Sequence, residues 1–221
     1  LERCHMRVIQ EKYDKKKIQA LPKVLFDRRI IVIFTEKEAE KAVEYLLQQE
    51  LLGFDTVTRP SFKKGKMYQV ALLQVATPDT CFLFRLNYTG LIDSLIQLLE
   101  DESVLKIGLS WHDDINSLHK LKEFKMGRFI DIQHHAKELG IEDLSLQKIY
   151  ANLFAQKISK RQQLSNWEAD ILTDKQKSYA ATDAWACIQI YNEIIRLKET
   201  RDYKLIIKAE DKNEASISEK G

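Results

Sequence analysis

Asp55, Asp114, Tyr179 and Asp183 have the residue types and the spacing to do chemistry together. An apolar run, Leu52-Gly53-Phe54, leads into Asp55, and the polar residues Thr56 and Thr58 follow. A carboxylate at the end of an apolar run is poorly solvated, so a hydrogen-bond network, a cation or a metal must hold it. Tyr179 and Asp183 are four apart in a strongly helical stretch, so both project from one face, one turn apart. Ala180, Ala181, Ala184 and Ala186 around them let that helix pack closely against a sheet and leave room for a ligand. Asp113 and Asp114 follow a short apolar segment and open a helical pattern. Singly, each of these acids is also an ordinary cap, turn residue or surface pair. Together, three carboxylates on a strand end, a helix start and a helix face suit two hard divalent cations, Mg2+ or Mn2+. Two such ions about 4 Å apart can clamp a phosphodiester, one acidifying an attacking water and the other stabilising the leaving oxygen. A tyrosine hydroxyl one turn before the last acid can orient that water.

The elements that must position these residues follow from the patterning. Residues 30–34 are a β-branched run of strand length. Thr35 and Glu38 make a capping box, and Ala39, Ala42, Val43, Leu46 and Leu47 recur at helical spacing up to about Gln49. Strands are expected at 51–56, 68–76 and 81–86, joined by a basic loop at 61–66 and the turn Thr77-Pro78-Asp79-Thr80. Short connections make these three antiparallel neighbours. Helices are expected at 90–99, 112–123, 133–139 and 145–154, with short strands at 104–108 and 129–132. Thr173 and Gln176 form a second capping box that opens the longest helix, 174–198. Strands early, then helices interleaved with short strands, indicate an α/β domain with a mixed central sheet covered by helices. The domain is expected over 30–200. A basic arm, 1–29, precedes it and carries Lys15-Lys16-Lys17 and Arg28-Arg29; a charged tail, 201–221, follows.

Lys and Arg total 35 and Asp and Glu 33, a net charge of +2, which neither requires nor excludes a nucleic-acid partner. The chain is 44% hydrophobic, enough for a substantial core, with only 7 Gly and 3 Pro, which argues against low-complexity structure. Cys4, Cys81 and Cys187 show no zinc spacing, and the last two sit in apolar contexts, so a reducing cytoplasmic setting is expected. The first residues are polar and charged, so no signal peptide is expected, and Met6 is a candidate start. No apolar run reaches the ~18 residues of a membrane span.

The three motifs resemble those of the DEDDy 3′-5′ exonuclease family, in its ribonuclease D and Werner-helicase exonuclease-domain branch. The matches are Gly53-Phe54-Asp55-Thr56, then Lys106-Ile107-Gly108 through Asp114 to Leu118, then Tyr179-Ala180-Ala181-Thr182-Asp183-Ala184. Leu164-Ser165-Asn166-Trp167-Glu168-Ala169 also looks like the family, and the resemblance covers about 30–197. It implies a ribonuclease-H-like fold and metal-dependent hydrolysis of phosphodiester bonds at 3′ ends of DNA or RNA. It further implies that Asp55 bridges both metals, Asp183 binds the metal carrying the attacking water, Asp114 holds the second metal through water, and Tyr179 orients the water. Asp114 fits the family spacing better than Asp113. Thr56 and Trp167 are candidate substrate contacts, Trp167 by stacking on a base or sugar, with Lys157, Lys160 and Arg161 along the channel.

One position departs from the family. Its glutamate two residues after the first aspartate is Val57 here, on the same strand face as Asp55 and unable to ligate a metal. Either a water or Glu168 stands in, or the protein is weakened, or it is an inactive nucleic-acid-binding module of the same fold, or the residue was changed deliberately. His112, His119, His134 and His135 lack HExxH spacing and do not read as a zinc site.

Overall fold

The computed structural model describes residues 6–207. Cys4 and the tail beyond residue 207 lie outside the described residues. The basic segment expected as an arm is laid against the domain. It holds β1 (Arg7–Gln10), α1 (Lys15–Ile18) and β2 (Lys23–Val24), and Ile9, Ile18 and Phe26 are buried. Asp14 caps α1, its side chain accepting from Lys16 N. The apolar residues, one per turn or strand, anchor a segment whose lysines stay in water.

The sheet begins with β3 (Arg29–Ile33). Then come α2 (Glu36–Leu46), β4 (Leu51–Thr58), β5 (Val70–Ala76), β6 (Thr80–Arg85), α3 (Leu86–Thr89), α4 (Asp93–Glu100), β7 (Leu105–Gly108), α5 (Trp111–His119) and β8 (Phe129–Asp131). After these come α6 (Ile132–Glu138), α7 (Leu146–Phe154), β9 (Lys157–Ile158), α8 (Asp174–Thr200) and β10 (Tyr203–Ile206). The six-stranded sheet has the order β3-β6-β5-β4-β7-β8. β4, β5 and β6 are antiparallel neighbours, β5 and β6 joined by a tight turn and β4 and β5 by the longer basic loop, while β3, β7 and β8 join in parallel. Two small parallel pairs, β1-β10 and β2-β9, tie the N-terminal segment to later parts of the chain.

Two expected helices are shorter than their apolar patterns. The helix expected at 90–99 begins only at Asp93: Gly90, at φ 69°, ends the short α3 and separates it from α4. α5 stops at His119, whose ring bonds the Phe124 carbonyl oxygen at 3.1 Å, so residues 120–123 turn rather than continue.

The sheet has two covered faces. On one, Leu52 and Phe54 of β4 pack with α2, α4 and α5 through Val43, Leu46, Leu95, Leu98, Ile115 and Leu118. On the other, α8 lies across the sheet with Ala180, Ala181, Ala184 and Ile188 against Leu72, Ala76 and Leu83. The two-residue period of β4 decides which side chain meets which helix. Gly53 faces α8, where a Cβ would collide with the Ala184 carbonyl oxygen. Glycine at 53 therefore sets how closely α8 approaches the strand that carries Asp55.

Candidate active site

Asp55 lies two residues after Gly53 and so points toward α8, while Thr56 points to the opposite side, toward α5. The end of one strand thus addresses two helices with two consecutive residues. Asp55, Tyr179 and Asp183 line a cavity of about 400 Å3, together with Thr56, Val57, Lys160 and Gln163. Asp114 stands beside it, on the first turn of α5, and its Oδ1 accepts a short hydrogen bond from Thr56 Oγ1. Thr56 N–H donates to Asp55 Oδ1 at 2.9 Å. Thr56 therefore lines the cavity with both of its donors taken up by carboxylates. Asp113 is exposed, so Asp114 is the member of the pair that faces the site.

Each acid sits where the surrounding elements force it. Ser110, just before α5, adopts a left-handed conformation at φ 53°, which costs a non-glycine residue about 1 kcal/mol. Its N–H donates to Asp131 Oδ1 at 3.0 Å, and the same oxygen accepts from Gln133 N at 3.0 Å to cap α6. Asp131 thereby fixes the entry angle of α5, and with it Asp114. On α8, the Thr173 and Gln176 capping box starts the helix, and Gln176 Nε2 also donates to Ser165 Oγ and the Asn166 carbonyl. Thr182 accepts from Phe26 N at 2.9 Å and donates to Ser178 O, tying the N-terminal segment to the turn that bears Asp183.

The electrostatics of the cluster are unfavourable as it stands. Burial pushes the Asp55 carboxyl well above the usual range; the negative charges of Asp114 and Asp183 push it further, against the opposing Thr56 N–H. Asp183 is raised to about 7 by burial, with Lys160 acting in the other direction. Asp114 is also raised to about 7, by burial and by Asp113 and Asp131, opposed by its Thr56 hydrogen bonds. Burial and the neighbouring carboxylates raise the Tyr179 phenol too, so it remains protonated at neutral pH. Asp183 Oδ1 is buried with no hydrogen-bond partner. An orphaned carboxylate oxygen among repelling acids is the environment that a divalent cation relieves. Among the described residues no group of three His, Cys, Asp or Glu side chains is arranged to hold a metal ion.

Several expectations are corrected. Trp167 does not face the cavity. It is 0% exposed, packs beside Tyr179 with ring centroids 5.8 Å apart, and donates to the Gln163 carbonyl at 3.4 Å. It cannot stack on a base; it backs the tyrosine. Glu168 does not replace the missing family carboxylate, because it pairs with Arg59 at 3.6 Å and does not line the cavity. Val57 lines the cavity and packs with the apolar cluster around Tyr179. Of the three basic residues expected along the channel, Lys160 lines the cavity of the acids, whereas Lys157 and Arg161 line an adjoining groove. His134 is exposed and His135 half-buried.

Sequence reasoning missed Asp131, Arg85 and the far wall of the cavity. Arg85 is fully buried and donates to the Ala169 and Asp170 carbonyls, which locks the loop holding Trp167. A lone arginine at the end of an apolar strand was the available signal. Ser145, Leu146 and Gln147 at the start of α7, with Leu109 and Cys187, complete the wall. They come from separate elements, and no local spacing joins them.

Residues 30–198 match a family model described as 3′-5′ exonuclease. The mouse bifunctional 3′-5′ exonuclease/ATP-dependent helicase WRN is 30% identical over 168 residues, covering 73% of this chain and 12% of the mouse protein. An Arabidopsis thaliana 3′-5′ exonuclease is 28% identical over 196 residues, covering 77% of this chain and 65% of the plant protein. The chain thus spans less than two thirds of the length of either relative. Among solved structures, the Aedes aegypti Nibbler EXO domain superposes with a TM-score of 0.70 at 21% identity, covering 78% of this chain and 90% of that one. Escherichia coli RNase D superposes with a TM-score of 0.69 at 19% identity, covering 79% and 46%. These two likenesses concern the fold, while the family match takes in the strand, the helix start and the helix face that carry the acids: this chain belongs to the 3′-5′ exonuclease family.

Proposed function

We propose that this chain removes nucleotides from the 3′ ends of DNA or RNA strands by hydrolysing phosphodiester bonds, with Asp55, Asp114, Tyr179 and Asp183 as its machinery. One observation carries the reading: Asp55, Asp183 and Tyr179 line a single cavity while Asp114 is held beside it through Thr56. Asp55, Asp114 and Asp183 would hold two divalent cations, Mg2+ or Mn2+, which when bound supply Lewis acidity to a water and to the phosphodiester. Tyr179, kept protonated and backed by Trp167, offers a hydroxyl to orient that water. Lys160 brings a positive charge to the cavity wall, where a phosphate oxygen can meet it. Thr56 keeps Asp55 and Asp114 in register by donating to both. Cys81 and Cys187 are buried free thiols, which supports a reducing compartment such as the cytoplasm. Among the described residues no helix is long and apolar enough to cross a membrane.

A second reading, a nucleic-acid-binding module without catalysis, is favoured by one residue. Val57 presents a branched hydrocarbon to the cavity on the Asp55 face, where the family carries a carboxylate. One assay decides between the two. Oligonucleotides of DNA and RNA labelled at the 5′ end are incubated with Mg2+ or Mn2+ and the protein, its Val57→Glu variant or its Asp55→Ala variant. Stepwise shortening that needs metal and disappears in Asp55→Ala is the expected result. Shortening by Val57→Glu alone would establish the second reading, and shortening that persists in Asp55→Ala would refute the assigned site.

A further inference from the structure

Beside the catalytic cavity lies a larger groove of about 770 Å3, and the two share Ser145, Leu146's neighbour Gln147, and Lys160. One wall is the N-terminal segment, through Lys15, Ile18, Gln19 and Lys23. The other is α7 and the chain around β9, through Lys148, Lys157 and Arg161. The N-terminal wall lies outside residues 30–198, the part that matches the family. The groove's carboxylates are already engaged. Glu142 pairs with Lys12 at 3.8 Å, and Asp143 pairs with Lys148 at 3.4 Å while accepting the Tyr13 N–H. Lys15, Lys23 and Arg161 have no carboxylate partner among the described residues, and all three are exposed. Ile18 and Ile158 lie beneath these charges and are largely buried.

The N-terminal wall is built in, not draped. β2 pairs with β9, Lys157 N–H donates to the Pro22 carbonyl at 2.8 Å, and Lys157 Nζ donates to the Gln19 carbonyl at 3.3 Å. Upstream, Asn152 exchanges two hydrogen bonds with the backbone of Gln10. The lysines are therefore presented from a fixed frame, which lowers the ordering cost of binding.

From this we infer that the groove is a track for the phosphate backbone of a single strand, seating the nucleotides 5′ to the bond being cut. The inference rests on the nuclease reading for its direction: a strand whose 3′ end occupies the catalytic cavity can leave it only toward its 5′ side. The shared lining of the two spaces makes the groove a continuous exit. Cations spaced along a groove suit a polyanion better than a lone anion.

The test measures binding of fluorescent ten-nucleotide oligothymidylate and oligouridylate in EDTA, where no metal-dependent hydrolysis intervenes, across a salt series. Lys15→Ala/Lys23→Ala is compared with the unaltered protein and with Lys37→Ala/Lys41→Ala, which removes two exposed lysines from α2 on the other side of the sheet. Removing two phosphate contacts should flatten the slope of log affinity against log salt by about 1.4 and weaken binding about tenfold at low salt. The α2 pair should change neither. Unaltered affinity and slope in Lys15→Ala/Lys23→Ala would overturn the track, as would an equal loss in the α2 pair. Hydrolysis with Mn2+ is read separately. Binding with the expected slope but no hydrolysis would remove the nuclease reading and leave the track; hydrolysis without the slope change would do the reverse.

Discussion

Replacing Asp183 by asparagine should stabilise the metal-free protein while ending its response to metal. The Asp183 carboxyl is buried near Asp55, and burial raises its pKa to about 7, well above the ordinary aspartate range. An acid whose folded pKa is raised lends stability below its unfolded pKa and loses it as pH rises through the folded one. The loss here falls between about pH 4 and pH 7, and the full shift corresponds to about 4 kcal/mol at pH 8. The acids are coupled, and asparagine leaves a buried amide to satisfy, so about half of that, roughly 2 kcal/mol, is the expected gain. For a chain of this size it corresponds to a Tm rise of about 4–8 °C at pH 8 in EDTA. The gain should shrink by more than half at pH 5, where the native carboxyl is already protonated. Differential scanning calorimetry at the two pH values, with and without Mn2+, measures each part. The unaltered protein should gain Tm on adding Mn2+ at pH 8, and Asp183→Asn should not. A variant no more stable than the parent at pH 8, or equally favoured at both pH values, would refute the electrostatic argument.

Gly53→Ala should cost about 3 kcal/mol and abolish activity, because the added methyl meets the Ala184 carbonyl and drives α8 away from Asp55; urea denaturation and the labelled-oligonucleotide assay measure the two effects. Trp167→Ala should cost about 3–5 kcal/mol, whereas Trp167→Phe should fold and lower kcat with KM little changed, since the ring supports Tyr179 and does not touch substrate. Val57→Glu should lower the Tm in EDTA by adding a fourth acid to the cluster and raise Mn2+ affinity about tenfold by isothermal titration calorimetry. Equal Mn2+ affinity in the two proteins would mean that residue 57 does not face the ions.

The parts of the site that were legible in the sequence are those whose geometry is local. Tyr179 and Asp183 share a face because helical spacing fixes it. Asp55 and Val57 share a face because strand alternation fixes it. The three antiparallel strands followed from loops too short for a crossover. What was not legible depends on pairings distant in sequence. β1 meets β10 and β2 meets β9 across most of the chain, so a lysine-rich stretch that reads as a solvated arm becomes a wall of the molecule. Trp167 lies in an irregular segment with no periodicity, so its direction is set by Arg85 and Gln176 from other elements. Glu168 pairs with Arg59, a partner distant in sequence that no local spacing reveals.

The β1-β10 pair gives the domain a mechanical character. The two strands run parallel, with Arg7 opposite Tyr203 and Gln10 opposite Ile206, and flanking bonds from Arg7 N to Asp202 O and from Glu11 N to Ile206 O. The chain enters at the Arg7 end of one strand and leaves at the Ile206 end of the other. Tension applied between the two ends therefore slides the strands along each other and loads every rung at once, instead of peeling them apart one by one. Where a longer polypeptide pulls on this domain from both ends, the pair acts as a shear clamp. The first event under load is its sudden release as a unit, which leaves the N-terminal wall of the groove held by the β2-β9 pairing while the six-stranded sheet still stands.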